Sequence, residues 1–174
     1  MKTTTDVSTP YYSTMTTPPP PDIPETDLAD WEHTDETVES LFSLPGVSVA
    51  GHTHVYERDQ RFFFASRLSF QPPLPLSVET AIEPTVLSAA ESQLEDRLLD
   101  RGATTVSFDD QQSVEINGIP GRAVTFESKH ERGTIFEGQL AVTRPDGLRV
   151  AGGAYPADAS DGRETLWRLI ANVE

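Results

Sequence analysis

Apolar and polar residues alternate in two consecutive segments after residue 41, and this period of two predicts two β-strands. In the first segment Val47, Val49 and Val55 fall on one face. In the second segment one face carries Phe62, Phe64, Leu68 and Phe70. A proline-rich linker at residues 71–76 ends the second strand, because proline cannot donate a backbone hydrogen bond to a neighbouring strand.

Two other segments carry apolar residues at the spacing of an α-helix. The first is predicted to run from near Pro84, which suits the first turn, to Arg101, with Gly102 as its stop. Its apolar stripe consists of Leu87, Ala90, Leu94 and Leu98. The second helix is predicted to begin at an N-terminal capping pair, Asp161 and Glu164. Its stripe consists of Leu166, Leu169, Ile170 and Val173.

Strand and turn signals fill the stretch between the two helices. Thr104 to Phe108 is a short predicted strand, and Asn117-Gly118 is a strong signal for a two-residue hairpin turn. Such a turn places the apolar residues of its two strands on opposite faces of the sheet. We therefore expect a bulge or a widened turn at Pro120-Gly121 that brings them onto one face.

A second hairpin is predicted around the loop Pro145-Asp146-Gly147, which pairs Arg144 with Leu148. In this register the small and apolar side chains share one face: Phe136, Gly138, Leu140, Val142, Leu148, Val150, Gly152 and Ala154. We expect this face to form a single core beneath both helices, with room for close approach at its glycines.

The pattern as a whole predicts an α+β fold in residues 41–174, with an antiparallel sheet of about six strands and two amphipathic helices, in the order β-β-α-β-β-β-β-α. From about Leu41 to Val173 this resembles the α/β/α sandwich of the PsbP superfamily, named for a photosystem II extrinsic protein and shared with Mog-type proteins that bind a small GTPase. The resemblance rests on the element order, on the hairpin from Val114 to Ala123, and on an amphipathic helix that follows a Gly-Ala-Tyr strand end. It implies a compact interaction module without a catalytic constellation.

Residues 1–40 differ in composition from the rest of the chain. They contain a run of four prolines, and nine acidic residues against one basic residue. With so little apolar surface, this segment is predicted to be a disordered acidic tail. Two alternatives remain open: a polyproline segment that docks on a partner through Tyr11, Tyr12 and Trp31, or a segment in which Leu28 and Trp31 lie back on the domain.

The net charge of the chain limits the kinds of partner that it can bind, and its lack of long apolar segments indicates where it is located. The chain has 28 acidic and 13 basic residues, a net charge of -15, and only two lysines, Lys2 and Lys129. This acid excess with few lysines resembles the salt-adapted proteins of extremely halophilic archaea. A surface of this sign repels phosphate backbones, so we expect no nucleic-acid partner. The absence of a membrane-length apolar run and of a signal pattern predicts a cytoplasmic protein.

The sequence contains one candidate metal site. His52 and His54 are two residues apart, so a strand would project both imidazoles from the face opposite Val55, where both reach one divalent ion. Glu57 or Asp59 follows closely as a carboxylate, and the loop residue His130 is a possible third imidazole brought near by folding. The alternative is a pair of surface histidines on an exposed strand.

A partner surface is the other candidate. Arg58, Arg61 and Arg67 alternate in and around the second strand, where they pair either with an anionic partner or with carboxylates of the same chain. Phe63 faces away from Phe62 and Phe64. It is an exposed contact residue if one face of the sheet is open, and a core residue if helices cover both faces.

These observations favour a non-enzymatic module that binds a protein partner or supports an assembly. The chain has no cysteine, no nucleophilic-serine motif and no glycine-rich phosphate loop, so no catalytic residue and no organic cofactor is predicted. Two alternatives stay open: a metal-binding protein or metal-dependent enzyme that uses the histidine pair, and a protein that encloses a small hydrophobic ligand beside Gly138 and Gly152.

Overall fold

The computed structural model describes residues 17–174, except for the side chains of residues 42 and 43. In this range eight strands and two helices follow in the order β-β-β-α-β-β-β-β-β-α. The strands are β1 (Glu32–Leu44), β2 (Val47–Arg58), β3 (Arg61–Gln71), β4 (Ala103–Phe108), β5 (Gln112–Ile116), β6 (Ile119–His130), β7 (Ile135–Thr143) and β8 (Arg149–Pro156). The helices are α1 (Leu76–Asp100) and α2 (Gly162–Ala171).

All eight strands belong to one antiparallel sheet, which confirms the α+β class with a sheet larger than the predicted six strands. The strand order is β1-β2-β3-β8-β7-β6-β4, and β5 pairs with β6 beside β4. The long strand β6 pairs with β4 along its C-terminal half and with β5 along its N-terminal half. The sheet thus has β1 at one edge, next to β2.

The two helices cover opposite faces of the sheet and create two cores, so the prediction of a single core beneath both helices is wrong. Leu87, Leu94 and Leu98 of α1 pack on the even-numbered residues of β7 and β8. Leu166, Leu169 and Ile170 of α2 pack in a second cluster with odd-numbered residues of β3, β7 and β8. The cause lies in the strand sequences, because neighbouring positions such as Phe63 and Phe64 are both apolar and must both be buried.

Helix α1 begins at Leu76 and contains Pro84 in its interior, so the predicted start near Pro84 is wrong. Proline removes one backbone hydrogen bond from a helix. Packing of the flanking residues Ile82 and Val86 on the first core offsets that loss. The predicted stripe and the stop at Gly102, which has φ of +98°, are confirmed. Neither helix of the described range is long and apolar enough to cross a membrane.

The Asn117-Gly118 turn forms as predicted, with Ile116 opposite Ile119 and both turn residues at positive φ. The bulge expected at Pro120-Gly121 is wrong, because the pairing of β5 with β6 continues without a shift. Ile116 belongs to the core under α2, while Val124 belongs to the core under α1. Since both faces of β6 are covered, no shift is needed to bury both sets of residues.

The predicted register of the β7–β8 ribbon is confirmed, with Val142 opposite Val150 and Leu140 opposite Gly152. The expected room at its glycines is absent. A Cβ atom on Gly138 would lie 2.2 Å from Cζ of Phe126, so the aromatic ring already fills the space.

The predicted capping role of Asp161 is also wrong. Asp161 stands at the N-terminal end of α2 but makes no side-chain hydrogen bond to the helix backbone. Its carboxylate instead binds the guanidinium of Arg61.

Residues 17–40 are part of the domain, which corrects the predicted boundary at residue 40. Residues 32–44 form β1, which pairs with β2 along its length. Before it, Ile23 is buried in the core under α2, and Leu28 and Trp31 pack against that core. The strand has few apolar residues because an edge strand is held largely by backbone hydrogen bonds. Residues 1–16, including Tyr11 and Tyr12, lie outside the described residues.

Candidate functional site

The two histidines of β2 lie on the same face of the sheet, as their spacing predicts, and it is the face that α2 covers. The neighbouring edge strand β1 brings two further polar residues to them. Its register places Glu36 opposite His54 and His33 opposite Tyr56. Three of the four histidines of the chain therefore meet at one edge of the sheet. We call His33, Glu36, His52 and His54 the histidine cluster.

One carboxylate oxygen lies at the centre of the histidine cluster. Oε1 of Glu36 lies 2.7 Å from Nε2 of His52 and 3.3 Å from Nε2 of His54. His33 completes the arrangement, since its ligand atom and those of Glu36 and His54 all lie within 4.8 Å of one another. The imidazole ring centres of His33 and His54 are 4.7 Å apart. The groups that bind transition metals in proteins thus converge on one point.

The far side of each β2 imidazole is held by a second group. Nδ1 of His52 lies 3.1 Å from the carbonyl oxygen of Pro18. Nδ1 of His54 lies 3.2 Å from the hydroxyl of Tyr56, whose ring stacks on Phe63. Contacts of this kind fix the orientation of an imidazole ring.

Electrostatics favour the protonation states that a metal requires. The hydrogen bond from His52 is the largest cause that lowers the pKa of the Glu36 carboxyl, so Glu36 is ionised at neutral pH. Burial lowers the pKa of His54, opposed by the negative charge of Glu36 and reinforced by the nearby His33, so its imidazole is neutral. Nε2 of His54 is buried and makes no hydrogen bond with any described residue, although Glu36 is near. Burial also raises the pKa of the Tyr56 phenol.

The predicted carboxylate ligand is wrong: Glu57 is not at the histidine cluster. It lies three residues after His54, so its side chain points to the opposite face of β2, where it pairs with Arg101 at 3.0 Å. Asp59 lies in the turn after β2. His130 is at the end of β6, where its ring contacts Phe136. The carboxylate at the cluster is Glu36.

The residues predicted to contact a partner are engaged within the chain. Phe63 has an exposed fraction of 0% and belongs to the core under α2, so its alternative reading as a core residue holds. Arg61 forms two hydrogen bonds with Asp161, and Arg67 binds Asp146 at 3.1 Å. Arg61 and Arg67 thus pair with carboxylates of the same chain, which is one of the two alternatives given by the sequence. Arg58 is half-buried at the end of β2.

His33 and Glu36 escaped sequence reasoning because they lie in the segment predicted to be a tail. The local sequence indicates a site only in that a histidine and a glutamate, both metal-ligating residue types, lie three positions apart in an acid-rich stretch. What brings them to His52 and His54 is pairing with β2, some twenty residues later.

Comparison with known proteins adds a family but no activity. A family model described as "Domain of unknown function (DUF6517)" matches residues 20–174. The matched range includes β1 and most of the segment that packs before it. No curated protein matches the chain.

Proposed function

Because the chain belongs to the DUF6517 family, whose function is unknown, we propose a function from the histidine cluster itself: the protein binds a divalent transition-metal ion of the zinc type. The ligands are His33, Glu36 and His54. One observation carries the proposal. The ligand atoms of His33, Glu36 and His54 all lie within 4.8 Å of one another, and the buried Nε2 atom of His54 makes no hydrogen bond with any described residue.

The distances suit an ion after a small inward movement of the exposed ligands. Zinc bonds of about 2.0–2.2 Å in a tetrahedral site place the ligand atoms about 3.4 Å apart. The three ligand atoms now lie within 4.8 Å of one another. His54 is held by Tyr56 and Glu36 by His52, whereas His33 is exposed and has the freedom to close on the ion.

His52 is a positioning residue in this proposal. Its Nε2 atom donates to Glu36, and its Nδ1 atom lies 3.1 Å from the carbonyl oxygen of Pro18, so it holds the carboxylate in place. Hydrogen bonds of this kind to a ligating carboxylate contribute about 10- to 100-fold in metal affinity. Two imidazoles and one carboxylate leave a fourth coordination position open, as in zinc sites that bind water or a substrate.

Zinc titration by isothermal calorimetry tests the proposal on the metal-free full chain. We expect binding of one ion per chain, weakened by at least about tenfold in the variants His54→Ala and Glu36→Gln. His130→Ala is the matched control, since it removes the one histidine outside the cluster. Absence of zinc binding, or equal binding by the wild type and by both cluster variants, would overturn the proposal.

A protein-binding role is the second candidate function, and it is also what the resemblance to the PsbP superfamily implies. The observation that favours it is the position of β1, whose outer edge has no strand partner among the described residues. An exposed edge accepts an extended segment of another protein through backbone hydrogen bonds. If β1 is used in this way, a complex isolated from high-salt lysate will be lost when Val38, 50% exposed on β1, is changed to lysine. A complex that survives this change would contradict the role of β1.

A further inference from the structure

A groove of about 830 Å³ lies on the α2 side of the sheet, remote in sequence from the histidine cluster. Its floor includes Thr125 of β6 and Gln139 of β7. One wall is helix α2, with Arg163 and Trp167, and the turn at Asp109 forms the other wall. A second, adjoining cavity shares Asp109, Thr125, Gln139 and Arg163 with it, so the two form one continuous groove.

The floor of the groove holds a buried polar group without a partner. Gln139 has an exposed fraction of only 4%, and its Oε1 atom makes no hydrogen bond with any described residue. A buried carbonyl oxygen is costly to leave unsatisfied, and such oxygens are paired in the great majority of proteins. Gln139 lines the groove, and a rotation of its side chain, whose oxygen is now shielded from solvent, would bring this oxygen to a donor on a molecule bound there.

The charge of the groove indicates which kind of hydrogen-bond donor a bound molecule would carry. Carboxylates of Asp109, Asp110 and Glu164 line it, against the single guanidinium of Arg163. These carboxylates do not converge at metal-ligand spacing, since the described residues bring ligand groups together only at the histidine cluster. The half-buried ring of Trp167 adds an apolar and aromatic wall, which attracts organic cations.

We propose that this groove binds a small aliphatic amine. The ammonium group donates a hydrogen bond to Oε1 of Gln139 and is attracted by Asp109, while the carbon chain packs along Trp167. An ammonium fits better than a neutral donor, because hydrogen bonds that involve a charged group are about twice as strong as neutral ones. The proposal is independent of metal binding at the histidine cluster.

Calorimetric titration of the full chain with putrescine, in the presence of a chelator, tests the proposal. We expect the wild type to bind putrescine and to bind the neutral diol of the same chain length at least about tenfold more weakly. Gln139→Met keeps the length of the side chain and removes its oxygen. We therefore expect its affinity for putrescine to be at least about tenfold lower than that of the wild type. Gln60→Met changes an exposed glutamine outside the groove and is the matched control.

Three results would overturn the proposal: no putrescine binding by the wild type, equal affinity for the diol, or unchanged affinity in Gln139→Met. If Gln139→Met does not fold, Trp167→Leu and Asp109→Asn replace it. Each of them should weaken putrescine binding, and unchanged binding in both would be equally decisive. Glu36→Gln should bind putrescine as the wild type does, which separates this groove from the histidine cluster.

Discussion

The packing of residues 17–31 against the sheet predicts a measurable loss of stability in Ile23→Ala. Ile23 is 6% exposed and contacts the core under α2. Shortening a buried isoleucine to alanine costs about 2–5 kcal/mol, and we expect the lower value, because a surface segment relaxes around the cavity. For a domain of this size each kcal/mol lowers the melting temperature by about 2–4 °C. The expected decrease in melting temperature is therefore about 4–8 °C.

Thermal unfolding followed by circular dichroism measures this change on the full chain. Thr26→Ala is the matched control, since Thr26 is exposed in the same segment and should shift stability by less than about 0.5 kcal/mol. A segment that behaves as a tail would give the same small effect for both variants. Equal melting temperatures for Ile23→Ala and Thr26→Ala would thus refute the packing of this segment.

Three further predictions follow from the core and from the histidine cluster. Gly138→Ala should destabilise the fold by at least about 1–3 kcal/mol in urea, because the new Cβ atom would lie 2.2 Å from Cζ of Phe126; an unchanged midpoint would contradict this packing. Glu83→Gln should lower the free energy of unfolding by about 3–5 kcal/mol, because it leaves the largely buried guanidinium of Arg144 without its charged partner. A loss below about 1 kcal/mol would show that the pair is not buried in solution. Zinc affinity should decrease as pH falls from about 8 to about 5, because protons then compete for the imidazoles; the lowered pKa of His54 keeps its ligand nitrogen free at neutral pH, and affinity independent of pH would exclude imidazole ligands.

The lowered pKa of His54 also has a consequence for the metal-free fold. The unfolded chain takes up a proton on His54 at a higher pH than the folded chain does. The contribution of this group to stability is therefore present above the ordinary histidine pKa and is lost as pH falls through and below it.

Local chemistry was sufficient to predict the β7–β8 ribbon. A three-residue loop determines which residues pair, and alternation along the two strands then determines which side chains share a face. Val142 opposite Val150 follows from these two facts alone. Strands that are close in sequence need no information about the rest of the fold.

The error at Pro120-Gly121 arose from an assumption about the sheet as a whole. If only one face of the sheet were buried, a regular hairpin would expose either Ile116 or Val124. The structure buries both, because α2 covers one side and α1 covers the other. The alternation of a strand indicates its faces, but it does not indicate how many of them are covered.

Part of the histidine cluster could be predicted from local sequence, and part of it depends on pairing between distant segments. The spacing of His52 and His54 was enough to place both on one face, and the same rule excludes Glu57, which lies an odd number of residues from each. Strand β1 could not be found from its own sequence, since an edge strand gains much of its stability from backbone pairing. Without β1, neither Glu36 nor His33 can be assigned to the cluster.

The zinc X-ray absorption spectrum of the zinc-bound full chain tests the central claim most directly, because an acidic chain also attracts cations to its surface carboxylates. Binding at the histidine cluster predicts imidazole nitrogen together with carboxylate oxygen at about 2.0–2.2 Å, with the imidazole signal lost when His33 and His54 are both changed to alanine. A spectrum with oxygen ligands alone in the wild type would contradict it.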